Sequence, residues 1–204
     1  IILLNDQNLA DYIRLPDYIE KKKDAGQIPM ARYADLMRFA LLEHYGGTWI
    51  DSTVYLTEPL PDTILNSDFF AVRNSLLLID NPVLYPAWFL HAKKGNKTIR
   101  EVRNVAFSYW LKNEHVIEYL LPNLIITLVV KSNPKVEKAI PYMNSDYSEY
   151  LVKVLADDYS EEKWNWIKKL TGIHKLTYKL DADIKHGHNF YDYLITSSDE
   201  KNTK

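Results

Sequence analysis

Three polar residues close a short apolar run in the stretch HYGGTWIDSTVYL: Asp51, Ser52 and Thr53. A carboxylate flanked by hydroxyls at the end of a strand is an oxygen-rich set. Oxygen ligands of this kind hold Mg2+ or Mn2+, and such ions bridge phosphates. In open α/β sheets, ligands bind beyond the carboxyl ends of the strands, which is where Asp51 is expected. The plain alternative is an Asp that forms a turn or caps the next segment. A second polar set lies upstream, in ARYADLMRFALLEHYGG. Asp35 and Arg38 stand three apart there, with Arg32 one turn earlier. Charged groups on an otherwise apolar helix need a partner. They either pair with each other or line a polar cleft, the carboxylate accepting from ligand hydroxyls and the guanidinium donating. A third set is the cationic run in GIHKLTYK: His174, Lys175 and Lys179. A surface strand with ordinary lysines is the bland reading of that run.

The elements that must position these groups can be read from spacing. Tyr33, Leu36, Met37, Ala40, Leu41 and His44 follow the i, i+3, i+4, i+7 pattern of one helix face. The opposite side carries Phe39 and Leu42, so the helix is predicted to be buried all round. Gly46 or Gly47 takes its left-handed cap. PDYIEKKKDAG predicts a helix opened by Pro16 and closed by Gly26. Strands are predicted at residues 1–4 and in TWID, TVYL, FFAVR, LLLI, AWFLHA and HKLTYKL. Helices are predicted in KTIREVRNVAFSYWLKN, HVIEYLLPNLI, DYSEYLVKVLA and SEEKWNWIKKL. Strands alternating with helices predict an α/β fold with a mostly parallel sheet flanked by helices and a helical C-terminal half. The polar tail, residues 197–204, is expected to fray from a single domain spanning residues 1–196.

Composition narrows the function. The 204 residues carry a net charge of -2, which supplies no basic field for nucleic acid. Lys21–Lys23 reads as a solvated helix end. With no cysteine there is neither a disulfide nor a thiolate metal site. No apolar run is long enough to span a membrane. Fifteen tyrosines and five tryptophans suit sugar or base stacking as well as core packing. His186 and His188 in HGH lack a third ligand nearby, so they read as loop. Asn113, His115 and Glu118 read equally as helix-surface polarity or as groups facing a ligand. The chain opens on IILL, from which we expect that an N-terminal strand of the sheet precedes it.

The block ARYADLMRFALLEHYGGTWIDSTVYLTEPLP, residues 32–60 above all, resembles the capsular polysaccharide synthesis protein family. These sugar transferases are related to the DXD-containing glycosyltransferases of yeast mannosyltransferase and large clostridial toxin type. The family pattern is SDxxRxxLLxxYGGxWxDxT, with Ala34 here in place of the serine. Looser echoes run through LPDYIEKKKDAGQI, AWFLHAKKGN, NEHVIEYLL and IHKLTYK. The resemblance implies a GT-A-like nucleotide-sugar-binding fold, a nucleotide-sugar donor (a UDP-sugar foremost), Mn2+ or Mg2+, and retention of anomeric configuration. It also implies a capsular or other surface polysaccharide as acceptor, lipid-linked, with the enzyme cytoplasmic and peripheral at the inner face of the cell membrane.

Carried over residue by residue, Asp35 and Arg38 resemble the pair that grips donor sugar and ribose. Asp51 resembles the first acid of the DXD motif and is the expected metal ligand. Thr53 stands where the second acid would be, and a neutral oxygen holds a divalent cation less strongly. Arg32, Tyr33, Trp49, Ser52, Thr53, His174, Lys175 and Lys179 complete the expected donor-binding set. The late cations would stabilise a departing nucleoside diphosphate. Helix and strand lengths lead us to expect Asp51 level with Asp35 and Arg38. Two rivals remain: a non-catalytic nucleotide-sugar-binding module and a metal-dependent nucleotide-sugar hydrolase, the latter disfavoured because such sites need several carboxylates or histidines.

Overall fold

A computed structural model of the chain describes residues 2–75, 82–180, 184 and 187–202. In chain order these form α1 (Leu9–Tyr12), α2 (Asp17–Asp24), α3 (Met30–Tyr45), β1 (Gly47–Ile50), β2 (Val54–Leu56), α4 (Asp62–Leu65), β3 (Phe69–Ala71), β4 (Phe89–Ala92), α5 (Lys97–Lys112) and α6 (Leu121–Lys131). They continue as α7 (Pro134–Ala139), α8 (Ser145–Ser148), α9 (Tyr150–Lys153), α10 (Glu161–Leu170), β5 (Ile173–Lys175) and α11 (Phe190–Asn202). The mixed α/β character and the helical second half are as expected. The mostly parallel sheet is not found: every strand pair among the described residues is antiparallel, in one sheet ordered β1-β4-β3 and a ribbon of β2 with β5. Alternating helix and strand signals suggest crossovers, but a crossover makes a parallel pair only if both strands enter the same sheet in one direction. Here β4 runs against both of its neighbours. Among the described residues, no helix is long and apolar enough to cross a membrane.

The residues divide into two compact units, Ile1–Ile50 with Asp62–Met143, and Asp51–Pro61 with Asn144–Lys204. In the first, α3 supplies Tyr33, Leu36, Phe39, Ala40 and Leu42 to a core shared with Ile99, Val102, Ala106 and Trp110 of α5, Ile126 and Val130 of α6, and Leu90 of β4. α5 begins where the Asn96 side chain accepts from the backbone N–H groups of Thr98 and Ile99, satisfying two donors that a helix start leaves open. It ends on carbonyls of Trp110 and Asn113 that accept from the Lys22 ammonium at 2.8 Å each. The Lys21–Lys23 run is therefore partly a clamp between α2 and α5, placed where a helix C-terminus favours a cation. α3 stops at Gly46, whose φ of 73° and ψ of -166° belong to a region open to glycine alone.

The second unit is built on the short ribbon. Val54 faces Lys175, Tyr55 faces His174, and Leu56 faces Ile173. Its core gathers Leu151, Leu155, Trp164, Ile167, Phe190 and Leu194. α10 begins at Ser160, whose hydroxyl accepts from the Lys163 backbone.

Several boundaries differ from the sequence expectation. Residues 2–4 form no strand; Ile2 and Leu3 are well exposed, and the Leu3 carbonyl accepts from the Asn8 side chain instead of a strand partner. The apolar spacing of HVIEYLLPNLI predicted one helix, yet α6 starts at Leu121. Pro122 sits in its first turn, where proline's missing N–H costs nothing, whereas a proline further along would block the turn before it. DYSEYLVKVLA forms two single-turn helices, α8 and α9, and β5 covers only the first part of the HKLTYKL run. α11 runs from Phe190 to Asn202. The predicted strand LLLI and His186 lie outside the described residues.

Gly46 gives a direct test of how α3 is joined to β1. A Cβ added there would stand 2.5 Å from the backbone nitrogen of Lys94. Gly46→Ala should therefore cost about 3 kcal/mol or more in urea unfolding, combining a forbidden backbone region with a backbone clash. Gly47→Ala, at φ 98° but with nothing within 4 Å, should cost less. Equal losses for the two would contradict the close-approach account.

Candidate functional site

The chain leaves β1 at Ile50 and turns at once. The Val54 N–H donates to the Asp51 carbonyl at 2.9 Å, so residues 51–54 form a tight turn into β2. The Leu176 N–H donates to the Thr53 carbonyl at 2.8 Å, extending the ribbon by one rung beyond the Val54–Lys175 pair. That rung brings the Lys175 side chain over the turn. Its ammonium donates to the Thr53 hydroxyl and lies 3.5 Å from Asp51 Oδ2. Side-chain exposures of 23% for Lys175 and 28% for Asp51 make this a partly desolvated cluster near the surface. Ser52, at the tip of the turn, is exposed.

His174 is the neighbour of Lys175 in β5 and goes elsewhere. Successive side chains of a strand leave on opposite faces. His174 is fully buried; its Nε2 pairs with the Thr57 hydroxyl at 3.2 Å, and its ring lies among those of Tyr55 and Trp164. Burial lowers its pKa to about 4, so at neutral pH it carries no charge. Lys179 is exposed, with its ammonium 5.8 Å from the Tyr178 ring centre. Of the three late cations singled out in the sequence, the structure brings Lys175 to Asp51.

The described residues around Asp51 do not by themselves make a site for the divalent cation expected there. Among the described residues, no group of three or more His, Cys, Asp or Glu side chains is arranged to hold a metal ion. At Asp51 itself, one carboxylate and one hydroxyl are already bridged by an ammonium. Near a protein surface, two unit charges about 4 Å apart interact by roughly 4 kcal/mol. A divalent ion seated on the same oxygens would meet about twice that as repulsion from Lys175.

Asp35 and Arg38 belong to the first unit. The Asp35 carboxylate takes Arg32 on one oxygen at 2.8 Å and Arg38 on the other at 3.3 Å. Arg38 also donates to the Ala87 carbonyl at 2.6 Å, and its guanidinium lies 4.7 Å from the Trp49 ring centre. Arg32 stacks in the same way on Tyr119. The network thus ties α3 to β1 and to the segment entering β4. Both Asp35 and Arg38 are buried; charges so placed are tolerated because they are paired. Tyr33 is buried too, its hydroxyl on Glu20, and burial raises its pKa. Asn113, His115 and Glu118 serve local loop bonds to Tyr109 and Leu120.

Two pairs escaped the sequence reading: Thr48 with His91 Nδ1 at 2.8 Å across β1 and β4, and Thr57 with His174. In each, a threonine, Thr48 within β1 and Thr57 just after β2, meets a histidine whose pKa burial lowers. The only sequence signal was a lone histidine in each apolar strand.

A family model described as Capsular polysaccharide synthesis protein matches residues 1–194. No curated protein matches the chain significantly.

The buried His174 predicts a pH dependence. Its folded pKa of about 4 lies below the ordinary value near 6.5. Between those limits the unfolded chain binds the extra proton, so stability is complete above about pH 6.5 and declines as pH falls toward 4. The full window is worth roughly 3 kcal/mol. Chemical unfolding at pH 7 and pH 4.5 should show His174→Phe losing less stability on acidification than the wild type. Identical losses would mean that His174 titrates normally in the folded chain.

Proposed function

We propose, since the chain belongs to the capsular polysaccharide synthesis protein family, that it is a glycosyltransferase with a GT-A-like fold, moving a sugar from a nucleotide-sugar donor to a capsular or other surface polysaccharide. The observation that carries this reading is the cluster of Asp51, Thr53 and Lys175 at the turn from β1 into β2. A nucleotide sugar reacts by losing a nucleoside diphosphate, and the oxygen that leaves gains negative charge. A fixed cation aimed at that oxygen lowers the barrier. Asp51 and Thr53 hold the Lys175 ammonium in one place, so little reorganisation is needed when the charge develops.

The donor is a UDP-sugar in this reading, and the acceptor a lipid-linked glycan reached by peripheral association with the inner face of the cell membrane. The reaction keeps the anomeric configuration. A front-face displacement of that kind asks the protein mainly to position donor and acceptor and to stabilise the diphosphate. The resemblance assigns donor sugar and ribose to Asp35 and Arg38, and that assignment is part of the same proposal.

A calorimetric screen of nucleotide sugars, followed by product analysis with a glycan acceptor, tests it. Turnover to a glycoside supports a transferase; release of free sugar alone would point to a hydrolase, and binding without turnover to a non-catalytic module. Asp51→Asn should keep the fold, because the residue sits in a surface turn, yet lower transfer by about 10²-fold. Unchanged transfer by this variant would remove Asp51 from the site.

A further inference from the structure

We infer that the Lys175 ammonium stands permanently where a divalent cation would sit, so that the protein binds its nucleoside diphosphate without a metal. This inference rests on the transferase reading above and specifies the chemistry of the same cluster. It starts from the oxygens. Lys175 engages two oxygens of the turn, Asp51 Oδ2 and Thr53 Oγ1. The donor set matches an ammonium better than a metal. Of the oxygens that Lys175 engages, one carboxylate and one neutral hydroxyl supply a single negative charge, enough to balance one ammonium and half of what a divalent ion needs. An ammonium has three N–H donors; Thr53 and Asp51 take two, and the third serves a phosphate oxygen.

The placement is built into the fold. Lys175 is the last residue of β5, and its backbone is held in register opposite Val54, immediately after the turn that carries Asp51 and Thr53. The next rung, Leu176 to Thr53, closes the ribbon on the far side of Lys175. His174, one residue earlier, is locked into the core, which prevents β5 from rotating its lysine away. The cation is therefore delivered by backbone pairing and not recruited from solution.

In the transfer step, the bond between the sugar's anomeric carbon and the diphosphate oxygen breaks, and its electron pair stays with that oxygen. The acceptor hydroxyl oxygen forms the new bond to the anomeric carbon, and its proton passes to the departing diphosphate. The Lys175 ammonium donates a hydrogen bond to the diphosphate throughout and is unchanged at the end. No oxidant, reductant or further reactant enters.

The test is calorimetric binding of UDP, with GDP, CDP and ADP as further probes, to the whole chain in EDTA and in saturating Mn2+. The expected result is a wild-type affinity that is the same in both buffers. Lys175→Ala should bind about 10- to 10²-fold more weakly in EDTA, the worth of one hydrogen bond to a charged group, while Lys175→Arg keeps most of the affinity. Thermal unfolding checks that both variants are folded. Wild-type binding that vanishes in EDTA and returns with Mn2+ would overturn the inference and leave the transferase reading standing. So would a folded Lys175→Ala that binds as the wild type does. Binding of no nucleoside diphosphate in either buffer would instead overturn the transferase reading, and this inference with it.

Discussion

The hydrogen-bonded register of β2 against β5 is the constraint on which the candidate site depends. Three facing pairs, Val54 with Lys175, Tyr55 with His174 and Leu56 with Ile173, decide which late residue meets Asp51. A slip of one residue would exchange the two faces of β5. The neutral, buried His174 would then stand at the turn, and an ammonium would be forced into a core of Trp164, Ile167 and Phe190. Burying an unpaired ammonium is far more costly than leaving it at the surface, so the core specifies the register and the register decides which side chain meets Asp51.

In the first unit, buried charge is handled by satisfaction. Asp35 spends both oxygens on guanidiniums, and Arg38 adds a carbonyl and an aromatic face. Breaking a buried pair by removing one partner usually costs more than the pair contributes, because the remaining charge is left without compensation. The network therefore does more to hold α3, β1 and the approach to β4 in one arrangement than to add net stability.

Much of this was legible in the sequence, for identifiable reasons. α3 announced itself through apolar spacing and the glycine pair, and Gly46 is where the backbone needs glycine. Asp51 stood out because it follows HYGGTWI, directly after the helix of ADLMRFALL. What could not be read was pairing. Residues 54 and 175 are joined by hydrogen bonds that leave no local trace, so His174, Lys175 and Lys179 looked like equals. The strand that carries them hides its faces, since Ile173 and His174 are both buried and no polar alternation results. The parallel sheet failed for the same reason: alternation of helix and strand is a property of order along the chain, and strand direction within a sheet is not. At HVIEYLLPNLI the local signals conflicted, and Pro122 overruled the apolar period.

The most direct measurement of the central claim, that the Asp51–Thr53–Lys175 turn receives a diphosphate, is a phosphorus NMR titration of a UDP-sugar with the protein in EDTA. The account predicts that the β-phosphorus resonance shifts with saturation on adding the wild type, and that it moves much less on adding folded Lys175→Ala at the same concentration. A β-phosphorus resonance that does not move with the wild type, or that moves equally with the variant, would contradict it.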